Sequence, residues 1–193
     1  MTHWPRVTMQ RGALLSEWLI ALVLTGIMLS AGFAWAGSWQ RQQQARQWTA
    51  SWVLAMEQLR QRALHSRRAW VICASADGRQ CQSEWRAAWL VFHDNNADGQ
   101  RQAGERVLSM TPDIPPSWRV IWRSFRRHDW HVWSAQGDAV LSNGTFTLCP
   151  PVVDEAALRQ VIVSKSGRMR IRRPSQERAS VLRSARQACG WLL

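Results

Sequence analysis

The sequence predicts an α+β protein in which one long N-terminal helix precedes an antiparallel β-sheet domain. Residues 13–36 are apolar and residues 38–66 contain neither glycine nor proline, which favours one helix of about 50 residues. Beyond residue 68 the chain changes to short β-type runs separated by glycine-containing turns. A length of 193 residues allows one domain with or without a tail, and a hydrophobic content of 46% is enough for a real core.

The N-terminal residues have the pattern of a short leader followed by a membrane-spanning helix. Residues 1–12 are polar and include Arg6 and Arg11, whereas residues 18–40 contain no charged side chain. The apolar segment 13–36 has 24 residues, which is enough to cross a bilayer. Because the arginines precede this segment, the positive-inside rule places the start of the chain in the cytoplasm. We therefore expect a single-pass membrane protein whose C-terminal domain faces the periplasm or the exterior.

A cleaved secretory signal peptide is the alternative interpretation of the same segment. Ala34, Trp35 and Ala36 before Gly37 have the small-x-small form of a signal peptidase site, and cleavage there would release a secreted basic binding protein. The apolar segment is longer than the core of a typical signal peptide, which has about 7–15 residues. In addition, the carboxylate of Glu17 is costly inside a membrane unless it has a partner. Both features favour an anchor that stays attached.

Residues 37–67 are predicted to form an amphipathic helix that packs on the sheet. Apolar side chains recur there at spacings of three and four residues, namely Trp48, Trp52, Met56, Leu59 and Ala63. Polar residues lie off this line, namely Arg46, Gln47, Arg60 and Gln61. A stripe of Trp and Met at helical spacing is more typical of a core-facing surface than of a ligand site.

Residues 68–193 are predicted to form a globular, β-rich domain with a basic C-terminal tail. Candidate strands are rich in β-branched and aromatic residues and cover 69–74, 88–93, 106–110, 118–125, 131–134, 145–149 and 160–164. Asp-Gly, Gln-Gly, Asn-Gly and Ser-Gly pairs between them predict turns. Near the end, Val181, Leu182 and Ala185 are interleaved with arginines, which predicts a short amphipathic tail.

Four cysteines in an exported domain favour two disulfides, for which three connectivities are possible. Cys73 and Cys81 flank an Asp-Gly turn and could close a hairpin, in which case Cys149 and Cys189 would tie the tail to a late strand. A zinc site is the alternative. The sequence has no CxxC pair, however, and its five histidines are scattered, so disulfides are favoured.

An acidic loop matches the pattern of a calcium-binding EF-hand loop, D-x-[DN]-x-[DN]-G-x5-E. The matching residues are Asp94, Asn96, Asp98, Gly99 and Glu105, and their side-chain oxygens are of the type that calcium binds. The residues before this loop predict a strand and not the helix of an EF-hand. Asp and Asn also form turns through their own local hydrogen bonds, so a plain hairpin turn is the alternative to a calcium site.

The chain is strongly basic, and its C-terminal part is the most basic region. There are 25 Lys plus Arg against 13 Asp plus Glu, a net charge of +12, which favours anionic partners. Arg168, Arg170 and Arg172 alternate along a predicted strand and therefore share one face, with Arg173 beside them. Guanidinium groups bind phosphate bidentately, so this row is a candidate site for the backbone of double-stranded DNA. The alternatives are a solvated or salt-bridged face, or attraction to an acidic membrane surface.

Catalytic motifs are absent from the sequence, which contains no GxSxG, HExxH, P-loop or Rossmann pattern. The histidines do not combine with cysteine or aspartate in a recognisable constellation; they are His3, His65, His93, His128 and His131. We therefore expect no catalytic residues, no enzyme activity and, apart from calcium, no cofactor.

The segment from Arg11 to Glu17, RGALLSE, resembles the leader junction of type IV pilins and type II secretion pseudopilins. The resemblance implies that prepilin peptidase cuts between Gly12 and Ala13 and that the new N-terminus at Ala13 is methylated, although phenylalanine is the usual residue at that position. It also implies that Glu17, the fifth mature residue, engages the N-terminal amine of a neighbouring subunit during assembly. A membrane-buried carboxylate that pairs with a cation is physically sensible.

An ordered series of short motifs between Gly12 and about residue 173 resembles the FimT/GspH family of minor pilins and pseudopilins. The series comprises VIC at 71–73, DG at 77–78, Cys81, 89–92, 94–99, 105–108, 144–149 and GRMR at 167–170. The resemblance implies a pilin-like fold, an inner-membrane location, and assembly with other pilin or pseudopilin subunits into a type IV pilus or a type II secretion pseudopilus. In FimT-like minor pilins a GRxR motif is associated with DNA capture, and Gly167, Arg168 and Arg170 match that motif.

Overall fold

The computed structural model describes residues 13–83, 85, 89–96, 98–110 and 117–191. The chain divides into two compact units, one up to residue 39 and the other from residue 40 onwards. Helix α1, Ala13–Ser66, contributes residues to both units. The predicted leader, residues 1–12, lies outside the described residues.

Helix α1 carries two kinds of surface. In the first unit the side chains described from residue 15 to residue 28 are exposed, and several of them are large and apolar, such as Leu15 and Trp18. Across the described residues, no helix combines the length and mean hydropathy that crossing a bilayer requires, so a membrane-spanning segment at 13–36 is not confirmed. In the second unit the predicted stripe is confirmed, because it is buried together with Ala45; its members are Trp48, Trp52, Met56, Leu59 and Ala63.

Eight strands follow α1 and form two four-stranded antiparallel sheets. They are β1 Ala69–Ala74, β2 Trp89–Asp94, β3 Val107–Met110, β4 Arg119–Ser124, β5 Trp130–Trp133, β6 Gly144–Cys149, β7 Arg159–Val163 and β8 Met169–Arg172. The first sheet has the order β3-β2-β1-β5 and the second has the order β4-β6-β7-β8. The predicted α+β class is therefore confirmed, and each of the seven strands predicted before residue 165 is present with ends that agree to within one residue.

One hydrophobic core joins the α1 stripe to the inner faces of both sheets. Tryptophan dominates it because the sequence has 14 of these residues, and many of them alternate inward along the strands. The ring of Trp52 on α1 meets Phe146 of the second sheet edge to face, with centroids 5.1 Å apart. Trp122 stacks on the same phenylalanine at 4.1 Å. Such aromatic pairs add about 0.5–1.5 kcal/mol to the free energy gained by burial.

The outer face of the first sheet is closed by its own connecting loops. A second apolar cluster lies there, comprising Val71, Cys73, Leu90, Phe92 and Val132, and Cys81 and Trp130 pack against it. The disulfide between Cys73 and Cys81 fastens the β1–β2 loop over this cluster. Within that loop the Asp77 carboxylate accepts hydrogen bonds from the amides of Arg79 at 2.8 Å and Gln80 at 3.1 Å. These two bonds, Arg79 first, lower the pKa of Asp77.

The outer face of the second sheet, which is the face turned away from α1, is partly covered by a C-terminal helix. This helix, α2, covers Ala179–Ala188 and confirms the predicted amphipathic tail. Ala185 and Cys189 pack with Cys149 and Leu158, and the disulfide between Cys149 and Cys189 joins the end of α2 to strand β6. Of the three possible connectivities, the structure therefore has Cys73–Cys81 with Cys149–Cys189.

Candidate nucleic-acid interface

Strand β8 carries the predicted arginine row and lies at the edge of the second sheet. Met169 packs against the main core, so the side chains that alternate with it point to the outer face. Arg168 and Arg170 are exposed, and Arg172 is half-buried. The strand register confirms a common face for two of these arginines, because Arg170 lies opposite Ile162 and Arg172 opposite Gln160. Arg168 directly precedes β8, so its place on this face stays a prediction.

The four predicted arginines differ in how far they are already engaged. Arg172 donates from Nε at 3.1 Å and from Nη2 at 2.8 Å to Oε1 of Gln160, and Nε2 of Gln160 donates to Oγ1 of Thr147. Among the described residues, no hydrogen bond or ion pair engages the guanidinium groups of Arg168, Arg170 or Arg173. Two exposed guanidinium groups on one face, together with Arg173 beside them, are therefore available for an anion, while Arg172 braces the strand.

Gly167 determines where the arginine row begins. Its φ of +80° lies in the left-handed region, and a Cβ at this position would be 2.3 Å from the carbonyl oxygen of Gly137. Only glycine satisfies both conditions without strain. The amide of Gly167 also donates to the carbonyl oxygen of Ser164 at 3.0 Å, which closes the turn between β7 and β8. The structure of the turn therefore explains why glycine occupies position 167 of the GRMR motif, independently of any ligand.

A further arginine lies on the same outer face but was not singled out from the sequence. Arg123 on β4 pairs with Thr145, which pairs with Ile162, which pairs with Arg170. Arg123 and Arg170 therefore stand at the two ends of one row across the sheet, at a separation of about 14 Å if adjacent strands are about 4.8 Å apart. The four strands of this sheet contain no acidic residue, so all of their charged side chains are arginines.

The inner side of β7 adds a buried cation close to the row. Arg159 is 2% exposed and donates from Nη1 to the carbonyl oxygens of Ala156 and Leu158, at 2.6 and 2.8 Å. Its pKa is lowered to about 10, chiefly by desolvation and then by the like charges of Arg173 and Arg46, against the raising effect of Asp154. Arg159 is therefore still protonated at neutral pH, and the surroundings of Arg173 are electropositive.

The acidic loop that matches the EF-hand pattern connects β2 to β3 as a hairpin, because these strands pair directly. Its carboxylates accept hydrogen bonds from the loop itself: Asp94 from the Gly99 amide at 2.9 Å, and Glu105 from the amides of Asn95 at 3.0 Å and Gln102 at 2.9 Å. The pKa of Asp98 is lowered chiefly by the Gln100 amide. In the described part of this loop and of the chain, no group of three or more His, Cys, Asp or Glu side chains is arranged to hold a metal ion. Calcium binding by Asp94, Asn96, Asp98 and Glu105 stays a prediction.

The predicted processing site is at the boundary of the described residues. Gly12 lies outside them, and Ala13 is the first residue of α1. Glu17 is exposed on α1, one turn into the helix. The alternative cleavage site before Gly37 falls inside the same helix.

Comparison with known proteins gives one family match and several similar structures. A family model described as type II transport protein GspH matches residues 48–167. The type IV minor pilin FimU of Pseudomonas aeruginosa aligns with 72% of this chain and 91% of its own, at 20% identity and a TM-score of 0.47. The minor pseudopilin EpsH of the Vibrio cholerae type 2 secretion system aligns with 68% of this chain and 98% of its own, at 11% identity and a TM-score of 0.48. Curated protein sequences give no significant match.

The family match covers more than half of the chain, from the α1 stripe to the glycine of the GRMR motif. This chain therefore belongs to the GspH family, and it is a minor pilin or pseudopilin.

Proposed function

We propose that this protein is a minor filament subunit that binds DNA through the exposed arginines of β8. The observation that carries the proposal is the placement of Arg170 on an edge strand and of Arg168 directly before it, both exposed and without an acidic partner among the described residues. A row of guanidinium groups contacts phosphates without reading sequence, so the proposed ligand is double-stranded DNA of any sequence. This favours a role in a type IV pilus that takes up DNA over a role in a type II secretion pseudopilus.

The proposal includes prepilin processing and a membrane anchor. Prepilin peptidase cuts between Gly12 and Ala13, Ala13 is methylated, and residues 13–36 hold the subunit in the inner membrane until it is extracted into the filament. The exposed apolar side chains of α1 support this, because lipid or neighbouring subunits would cover them. In the filament, Glu17 pairs with the N-terminal amine of a neighbouring pilin or pseudopilin subunit.

The processing part is tested by determining the N-terminus of the protein isolated from its native membrane, using mass spectrometry. The expected result is a chain that begins at Ala13, with or without the methyl group. A chain that begins at Gly37 would instead identify a secreted basic binding protein that is not part of a filament. Glu17→Ala should leave cleavage intact and reduce recovery of the protein in purified filaments.

The DNA-binding part is tested with the full chain in a non-ionic detergent and a labelled blunt duplex. Replacing both Arg168 and Arg170 by alanine should weaken binding and reduce the salt slope of log K by about 1.8, because each phosphate contact contributes about 0.9. The matched control replaces Arg62 and Arg79, two exposed arginines outside the β8 face, and should change the slope little. Equal effects of the two double variants would mean that net charge and not this surface attracts DNA.

A further inference from the structure

Phe125, at the end of β4, is the most exposed large hydrophobic side chain among the described residues, at 77%. An exposed aromatic ring offers a flat apolar face on which another ring can stack. Phe125 does not belong to the exposed surface of α1. It lies in the globular unit, next to the second sheet and its arginines.

The backbone holds this ring in its exposed position. The amide of Phe125 donates to the carbonyl oxygen of Asn143 at 2.9 Å, and Ser124 is bonded twice to the backbone of His128. Arg127 closes the turn with a φ of 60°, a conformation that residues other than glycine adopt uncommonly. The backbone of the turn is therefore preorganised, and little backbone entropy remains to be lost when a ligand contacts the ring.

One cation lies over the ring, and further basic residues are close to it in sequence. Nζ of Lys165, the single lysine of the sequence, lies 5.9 Å from the ring centroid, within the range of a cation–π contact. Lys165 belongs to the β7–β8 turn, in which Ser164 bonds to the backbone of Arg168, so the same turn carries both Lys165 and the start of the arginine row. Arg123 precedes Phe125 on β4, and one exposed acid, Asp129, lies in the connection that follows.

Double-stranded DNA would use the cations of this surface but not the ring of Phe125, because its phosphates face outward while its bases are stacked on one another inside the duplex. A single strand offers phosphates to the arginines and, in addition, a base face to an aromatic ring. Proteins that bind single strands without sequence preference combine these two elements.

We propose that Phe125 is a base-stacking residue and that the surface formed by Phe125, Lys165, Arg123, Arg168 and Arg170 binds unpaired nucleotides, such as single-stranded ends. This inference rests on the DNA binding proposed above and names a second element of the same site. The arginines contact the backbone of either form of DNA, and Phe125 adds affinity for the single-stranded form alone.

The test compares two labelled probes, a 20-nucleotide thymidine single strand and a blunt 20-base-pair duplex, by fluorescence anisotropy with the full chain in detergent. Phe125→Ala should lose about 10-fold in affinity for the single strand, since stacking of one base is worth about 1–3 kcal/mol, and less than twofold for the duplex. Phe125→Trp keeps an aromatic stacking face, so it should retain the wild-type affinity for the single strand. Phe125→Leu keeps apolar bulk without a stacking face, so it should behave like the alanine variant.

The outcomes separate the two proposals. Loss of duplex affinity in the Arg168/Arg170 double variant, with no effect of Phe125→Ala on the single strand, would overturn the stacking inference and leave the proposed function standing. Unchanged binding of both probes by the double variant would overturn the proposed function and the shared surface with it. Full single-strand affinity in Phe125→Leu would show that the contact is a general hydrophobic one, which also overturns the inference.

Discussion

The two sheets bury their inner faces against the same helix, but they finish their outer faces in different ways. On the first sheet the outer face is apolar and is covered by loops. The carboxylates of Asp77 and Asp94 accept hydrogen bonds from backbone amides in these loops. On the second sheet α2 covers one part, and the remainder is a strip whose charged side chains are all arginine. The acidic residues in the loops of the first sheet therefore stabilise local structure, whereas the second sheet leaves Arg123 and Arg170 exposed on its outer face.

The largest expected effect concerns the two disulfides that fasten these covers. Replacing Cys149 and Cys189 by serine releases a crosslink that spans 40 residues, and replacing Cys73 and Cys81 releases one that spans 8. The chain-entropy relation predicts losses of about 4 and about 2.5 kcal/mol in the free energy of unfolding. Urea denaturation of both variants and the parent, without reductant, measures the difference. A larger loss for the shorter loop would mean that the cover of the first sheet contributes more than its crosslink.

The next effect concerns His131, which lies in the core between the two sheets. It is fully buried, its Nδ1 contacts the carbonyl oxygen of Ser142 at 3.1 Å, and desolvation lowers its pKa to about 4. The unfolded state protonates this imidazole near pH 6.5, whereas the folded state does so only near pH 4. The free energy of unfolding therefore has its full value above pH 6.5 and falls as the pH decreases towards 4, by an amount on the order of 3 kcal/mol.

Thermal denaturation between pH 7.5 and pH 4 measures this dependence. His131→Phe should remove this part of it, although the variant also loses the contact with Ser142 and starts from a lower stability. If stability fell with pH equally steeply in the variant, groups other than His131 would cause the loss of stability at acidic pH.

A smaller effect separates the two reasons for glycine at position 167. Gly78 and Gly167 both have positive φ, at 66° and 80°, but only Gly167 is crowded by a neighbouring carbonyl. Gly78→Ala should therefore cost about 1 kcal/mol for the backbone conformation, and Gly167→Ala about 2–3 kcal/mol because the turn must also shift. Denaturation of both alanine variants gives the comparison. Equal costs would show that the turn moves away from Gly137 without strain.

The smallest effect distinguishes arginines within β8. Arg172 is bonded to Gln160, so Arg172→Ala should lower stability by about 1 kcal/mol, whereas Arg170→Ala should change it by less than about 0.5 kcal/mol. Binding of duplex DNA should respond in the opposite order, with the larger loss for Arg170→Ala. If both variants lost stability equally, Arg172 would not brace the strand as its hydrogen bonds indicate.

Local patterns in the sequence predicted much of this fold, because helical and strand periodicities act over a few residues. The stripe from Trp48 to Ala63 and the alternation of Arg170 and Arg172 are of this kind. The strand order is not local. β5 lies between β4 and β6 in the sequence but pairs with β1 in the first sheet, whereas β4 and β6 pair with each other in the second sheet. This order places Arg123 in line with Arg170 across the second sheet. The sequence alone therefore predicted the arginines near β8 but not Arg123 on β4. The exposure of Phe125 likewise depends on the turn that follows β4.

The tryptophans of the core give the protein an intrinsic optical reporter. Trp48 and Trp52 on α1 stack with centroids 5.8 Å apart, and Trp48 also meets Trp89 of the first sheet edge to face at 6.3 Å. Indoles fixed in a chiral arrangement produce near-ultraviolet circular dichroism, which disappears when side-chain packing loosens even if secondary structure is retained. The signal therefore reports how residues 40–66 of α1 pack on the sheets. A change of this packing on entry into a filament can be observed without any added label.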